Sequence, residues 1–568
     1  MTAAVKGGIP LQRPVTVLVF AIVLALVVLP LLVLLRTSLL PAGQLPLEST
    51  DVTFANFVTL FTSKNSLTIL SNTIIYAGSS TVLALVVATV LAYLTERTDM
   101  PGRFLLRTVM FTWMTIPALI VGFGWILLAN PGSGVLNLWA RQLFGTEGAP
   151  FQIYTFPALV ITTTIALVPT SFIMISGVLR NMDPQLELAG SVHGARRSTV
   201  LRSITMPLLL PGLLSSAIYM LMAVIQTFDL PLVIGMTAKV PVVSTRIYLL
   251  TAPDVGVPRY GAAGAFGVVL LALASILVWA YLRLTRVQER FRVVSGKAFR
   301  PKRVQLGAWK YPVAAAVWGY CQIMALPLLM MIWASLFPTY RPPSFETLSE
   351  ASLDVYRTIL ENNAILRALW NTALMVVATA TLTVLLCFFT GWLSVYRNDG
   401  VGRVVDALSF IPMTVPPIVM VLGILLIYLK TPLYGTVWIM VVAHVTIFLA
   451  FGTRTMATTL MQLNRELANA AMISGASWLT SLRTIVLPLI APQAINLWLW
   501  SFAHAARDLT VPLMLMTLAN TVVASTLLNL WQFPNLPGTA ALAVMFSGVL
   551  LLLIVPAQIY ISRKYDQD

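Results

Sequence analysis

The sequence runs to 568 residues, 58% hydrophobic and 10% charged, with a mean hydropathy of +0.87 and a formal net charge of +16. A soluble domain carries about 25% charged residues, so these proportions exclude a soluble core and leave a polytopic membrane protein. The basic excess sits in short loops beside apolar runs, which points to topology and anionic membrane lipids and not to nucleic acid.

Runs of about 20 apolar residues predict an all-α fold of about twelve spans. The first six lie near Val15–Leu35, Thr73–Leu94, Val109–Ala129, Phe156–Leu179, Leu208–Ile225 and Gly261–Leu282. Val15–Leu35 is longer than a signal-peptide core of about 7–15 residues and is read as a span. The second six lie near Tyr311–Phe337, Thr372–Val395, Leu408–Leu429, Leu433–Phe451, Leu489–Ala506 and Thr539–Ile561. Cys321 and Cys387 both fall inside predicted spans, which argues against a disulfide framework or a cysteine metal site.

The joint between the two sets, Arg283 to Lys310, is crowded with Arg and Lys against the single acid Glu289. Moving so many cations across a bilayer is unfavourable, so the joint is placed in the cytoplasm, and an even number of spans on each side puts both termini there too. The domain reading is a first half over 1–286, a basic linker over 287–310 and a second half over 311–568.

The two halves are copies. DPQLELAGSVHGARRSTVLRSITMPLLLP, from Asp183 to Pro211, returns as NRELANAAMISGASWLTSLRTIVLPLIAP from Asn464 to Pro492, at an offset of 281 (475 − 194). NTIIYAGSSTVLALVVATVLAYL from Asn72 returns as NTALMVVATATLTVLLCFFTGWL from Asn371, at an offset of 299 (371 − 72). Both copies face the same way, so these are parallel repeats related by an axis along the membrane normal, with the substrate path expected at their interface. Within the loops, Asp183 and Asn464 are good N-caps, and Gly194 and Gly475 suit the left-handed residue that ends a helix. So short a helix is marginal alone and needs a surface to dock on. Small side chains on one face suit a groove on another protein; a lipid-surface helix is the plainer alternative.

These loops resemble the coupling loops of binding-protein-dependent ABC transporter permeases, whose E-A-A-x-x-x-G motif is followed by a run ending in L-P. The A-x-x-x-x-G-A core is Ala189 to Ala195 and again Ala470 to Ala476, closed by Met206-Pro207 and Leu487-Pro488. The N-T opening at Asn72 and Asn371 is also typical of that family. The resemblance implies a type I, MetI-like permease of two pseudo-symmetric six-helix halves in a bacterial inner membrane. It implies two copies of a cytoplasmic ABC ATPase as partners, an extracytoplasmic substrate-binding protein, and alternating access. The residues it assigns to ATPase coupling are Glu187, Ala189, Gly194, Ala195, Arg202 and Pro207, with Glu466, Ala470, Ala471, Gly475, Ala476, Arg483 and Pro488. The motif's own glutamate position holds Leu188 and Asn469, so Glu187 and Glu466 are the nearby carboxylates that would substitute. Arg202 and Arg483 fit an ATPase contact and a headgroup contact equally. TFDLPLVIGMTAKVPVVSTRIYLLTAP from Thr227, with RDLTVPLML from Arg507, is similar to the ferric-iron branch; related branches carry thiamine, polyamines, sulfate or phosphonates.

No catalytic residue is predicted. Gly296-Lys297 lacks the upstream glycine and the following Ser/Thr of a phosphate loop, so ATP and Mg are expected on the partner and no cofactor on this chain. His193, His444 and His504 are too scattered for a metal site. Along the path, Asp229, His444 and Asp508 are candidates because ionisable groups in or beside spans are costly. For His444 the plain alternative is a buried imidazole bonded to a neighbouring helix; for Arg507 and Asp508 it is a local ion pair. Pro117 and Gly124, with Pro416 and Gly423, are read either as hinges or as packing positions. An ion-driven secondary transporter would share the hydropathy, but it needs no matched docking helices and more often places acids mid-span.

Overall fold

The computed structural model describes residues 13–41, 43–45, 49–182, 185–252, 258–290, 304–397, 399–463, 477–533 and 535–565. Among them the fold is helical, with one isolated β-bridge between Thr98 and Val304. The first half supplies α1 (Arg13–Ser38), α2 (Lys64–Arg97), α3 (Arg103–Trp113), α4 (Ala118–Ala129), α5 (Phe156–Asn181), α6 (Gln185–Val192), α7 (Met206–Gln226) and α8 (Tyr260–Arg290). The second supplies α9 (Lys310–Ser335), α10 (Asn363–Tyr396), α11 (Gly400–Phe410), α12 (Pro417–Tyr428), α13 (Val437–Gln462), α14 (Leu487–Arg507) and α15 (Leu536–Tyr565).

The repeat holds to the residue. The 34 residues of α2 map onto the 34 of α10 at 299 (363 − 64), and α4 maps onto α12 at the same offset (417 − 118). Then α5 maps onto α13 and α7 onto α14 at 281 (437 − 156 and 487 − 206). The offset drops by 18 (299 − 281) because the first half inserts a helix, Val135–Phe144, between its third and fourth spans. Buried Asn137 holds that insertion: its Nδ2 donates to the carbonyls of Asn130 at 2.9 Å and Phe151 at 2.6 Å.

Among the described residues ten helices are long and apolar enough to cross a membrane, or up to 12 if each bent pair counts as one span. Those pairs correct two expected spans. Val109–Ala129 is not one helix: α3 and α4 meet at 102°, and in place of Leu408–Leu429 the segment Gly400–Met413 meets α12 at 110°. Pro117 and Pro416 cap α4 and α12 with ψ of 133° and 136°, and a proline donates no amide to continue the preceding helix. The expected start at Leu208 is corrected as well. The fifth span begins at Leu201 with a π-helical turn, Leu201–Thr205, matched by Leu482–Val486 in the second half. Each turn runs straight into Pro207 or Pro488, whose missing N–H leaves the carbonyl four residues back without its α-helical donor.

The chain forms two compact units. One takes the described residues of Met1–Ser63, Ile247–Ala272 and Leu360–Asn529; the other takes those of Lys64–Arg246, Leu273–Ile359 and Leu530–Asp568. Each unit is built on a long-helix pair, α10 with α13 or α2 with α5, joined by α14 or α7. The first helix of each half serves the other half's bent span: α1 packs on α12 in one unit, and α9 packs on α4 in the other. Glycine makes that contact possible. A Cβ on Gly423 would lie 2.5 Å from the Pro30 carbonyl oxygen, and one on Gly124 would lie 2.2 Å from that of Pro327. Packing without a hydrophobic driving force depends on such close backbone approach.

Candidate functional site

The site is the loop between α5 and α7, whose first two residues, Asp183 and Pro184, lie outside the described residues. Its helix α6 has eight residues and stops where the sequence says it must. Gly194 has φ +79°, and the Ala195 amide reaches back to the Gly190 carbonyl at 3.1 Å, the six-to-one closure of a glycine-ended helix. A Cβ on Gly194 would meet nothing within 4 Å, so the dihedral alone demands glycine. Gly190 is different: a Cβ there would press to 2.8 Å from Ile204 Cδ1, which seats α6 against the π turn.

The outward side of this loop carries Ala189, Val192, His193 and Arg196, all exposed, with Val192 at 84%. Arg202 and Pro207 are exposed at the start of the fifth span, and so are Arg483 and Pro488 in the second half. Glu187 faces the other way. Its Oε1 accepts from the Thr205 hydroxyl at 2.9 Å, and its Oε2 lies 3.8 Å from Nε of Arg97, the last residue of α2. Arg97 is 4% exposed, and its Nη2 donates to the carbonyls of Leu179 at 3.1 Å and Met182 at 3.4 Å, where α5 ends. A cation there meets the negative end of the helix dipole. Next to it, Glu96 is paired with both Arg107 and Arg180. The backbone is tied in as well: the Val304 amide donates to the Arg97 carbonyl at 2.8 Å, and the Leu306 amide to Asp99 Oδ1 at 2.8 Å.

Sequence reasoning found Glu187 but not its partners. The signal for Arg97 was a cation at the end of a span, which charge counting alone assigns to topology. Glu466, Ala470, Ala471, Gly475 and Ala476 lie outside the described residues.

The Asn-Thr pair in the third turn of α2 and α10 holds a distant segment by hydrogen bonds. Thr73 Oγ1 accepts from the Val243 amide at 2.9 Å, and Asn72 Nδ2 donates to the Pro241 carbonyl at 3.3 Å. In the second half Thr372 Oγ1 accepts from Val523 at 2.8 Å, and Asn371 donates to Thr521 at 2.9 Å. Both pairs pin the segment that follows the fifth span, opposite in helix sense to the coupling loop. Among the path candidates, His444 is buried at 1% exposure, its Nδ1 donating to the Met440 carbonyl at 2.8 Å. Its Nε2 lies 3.4 Å from Asp508 Oδ2, which also accepts from the Val511 amide at 2.8 Å. Asp229 is half-buried just ahead of a π-helical turn, Pro231–Gly235. Among the described residues no group of three or more His, Cys, Asp and Glu side chains gathers as a metal-ligand set.

Residues 80–288 and 383–566, well over half of the chain, match the family described as the binding-protein-dependent transport system inner membrane component. The ferric transport system permease protein FbpB of Actinobacillus pleuropneumoniae is 23% identical over 490 residues, covering 86% of this chain and 69% of that one. A putative ferric transport system permease protein, FbpB 1 of Haemophilus influenzae, is 25% identical over 460 residues, covering 79% and 70%. The spermidine/putrescine transport system permease protein PotC of Haemophilus influenzae is 28% identical over 210 residues, 37% of this chain and 81% of that one. With a duplicated helical body and a glycine-ended loop helix in place, the chain belongs to the binding-protein-dependent transport system inner membrane components, the multi-pass inner-membrane permeases of ABC importers.

Proposed function

We propose that this permease passes ferric iron, delivered by an extracytoplasmic binding protein, and is driven by two copies of a separate ATPase that hold ATP and Mg. The observation that carries the reading is α6, a short helix with exposed Ala189 and Val192 and its carboxylate turned inward. Such a helix is marginal alone and is built to be gripped from outside. In this reading the two loops, with both termini and the 287–310 linker between the halves 1–286 and 311–568, face the cytoplasm. ATP-driven closure of the two ATPases would pull the loops together and open the path to the outside; hydrolysis would reset it. Arg202 and Arg483, exposed in the first turn of the two fifth spans, would meet the ATPase or the headgroups.

Ferric iron is favoured over polyamine because the ferric permeases align over most of the chain, whereas the polyamine permease aligns over 37% of it. The test is uptake into proteoliposomes that contain this chain, its ATPase, the binding protein loaded with ferric iron, and ATP. ATP-dependent iron entry is expected. Iron entry driven by an ion gradient without the ATPase would mean a secondary transporter, and uptake of spermidine in place of iron would move the chain to the polyamine branch.

A further inference from the structure

We propose that Arg97 is the positioning residue that carries the motion of α6 into the membrane helices. The inference rests on the reading of α6 as the ATPase's handle.

The geometry is specific. Arg97 ends α2, binds the carbonyls that end α5 and faces Glu187 on α6; Glu187 is bound in turn by Thr205, at the foot of the fifth span. One side chain and its partner therefore join α6 to three helices that reach through the membrane. Arg97, Glu187 and Thr205 are at most 18% exposed, so the contact is shielded from water and ions.

The second half carries different residues at the equivalent positions. Position 396 (97 + 299) is Tyr396, position 468 (187 + 281) is Ala468, and position 486 (205 + 281) is Val486. None of the three side chains is kept at its equivalent position. The contact with the end of the fourth span survives nonetheless: the Tyr396 hydroxyl donates to the Leu460 carbonyl at 3.0 Å, and Leu460 is the counterpart of Leu179 (460 − 179 = 281). A residue needed only to cap α5 could be a tyrosine in both halves. Arg97 does more, because it also faces the loop helix α6.

The experiment puts nitroxide labels at Val192→Cys and Trp139→Cys, both exposed and in the same unit, with the buried Cys321 and Cys387 replaced by alanine. Complexes are isolated through a tag on the ATPase, and the label distance is compared in ADP and in ATP with vanadate. In the parent chain the distance distribution is expected to shift between the two states. In Arg97→Gln and in Glu187→Gln at least half of that shift is expected to be lost, with part regained in Arg97→Lys. Thr205→Val, a smaller change that keeps the fold, is expected to lose an intermediate share. Parent-like shifts in both glutamine variants would overturn the inference while leaving the handle reading intact. A parent chain that brings down no ATPase would overturn the handle reading, and the inference with it.

Discussion

The α2–α5–α7 bundle and the α10–α13–α14 bundle have the same helix lengths, the same π-helical turns and the same Asn-Thr clamps, yet they are tied differently at the loop end. Arg97 pairs with the half-buried Glu187 in one; in the other the Tyr396 hydroxyl donates to the Leu460 carbonyl. Backbone geometry is set by the length of the apolar runs and by proline and glycine placement, which the repeat preserves. The polar contacts are local choices that can differ between the copies.

The sharpest way to break that comparison is to remove the same position in each bundle. Arg97→Met removes the cation facing Glu187 and the donor to two helix-end carbonyls, and is expected to cost about 2–4 kcal/mol, toward the lower end of the range for breaking a buried pair because Glu187 keeps the Thr205 hydroxyl. Tyr396→Phe is expected to cost about 1 kcal/mol, the net worth of one hydrogen bond. Thermal unfolding in detergent reads both, and equal losses would contradict the distinction. Next comes Gly124→Ala, which drives a Cβ into the Pro327 backbone at 2.2 Å and is expected to cost about 1–3 kcal/mol. Gly319→Ala is its control, since a Cβ there meets nothing within 4 Å.

The clamps sharpen the comparison from the other side. Thr73→Val and Thr372→Val each orphan one amide, at Val243 or Val523, and should lose the same amount, about 1–3 kcal/mol. Unequal losses would show that the two bundles differ at this end as well. The smallest effect is electrostatic. The Gly402 amide, followed by the Arg397 side chain, holds the Asp399 carboxyl below the usual carboxylate range. A depressed folded pKa adds stability that is present above the ordinary value and is lost as pH falls through the folded one. Protection of the Gly402 amide against hydrogen exchange is therefore expected to fall in acid, and to stay level in Asp399→Asn.

The spans, the duplication and the glycine stop at Gly194 were legible because each rests on local rules: apolar run length, fixed offset and a left-handed dihedral. The breaks at Pro117 and Pro416 were only half legible. Proline marks the place, but a bend of 102° or 110° needs something to hold the second arm, and that is the distant proline carbonyl against Gly124 or Gly423. Glu187 was legible as a candidate, while its inward turn was not. Arg97 is 90 residues away in sequence (187 − 97), and no periodicity links the two.

The central claim is that the exposed side of α6 is seated in the ATPase. The direct measurement is site-specific crosslinking from Val192 in native membranes, with the ATPase subunit as the acceptor. An adduct of the permease with the ATPase is predicted. No adduct at Val192, in a preparation where the ATPase still co-purifies with the chain, would contradict it.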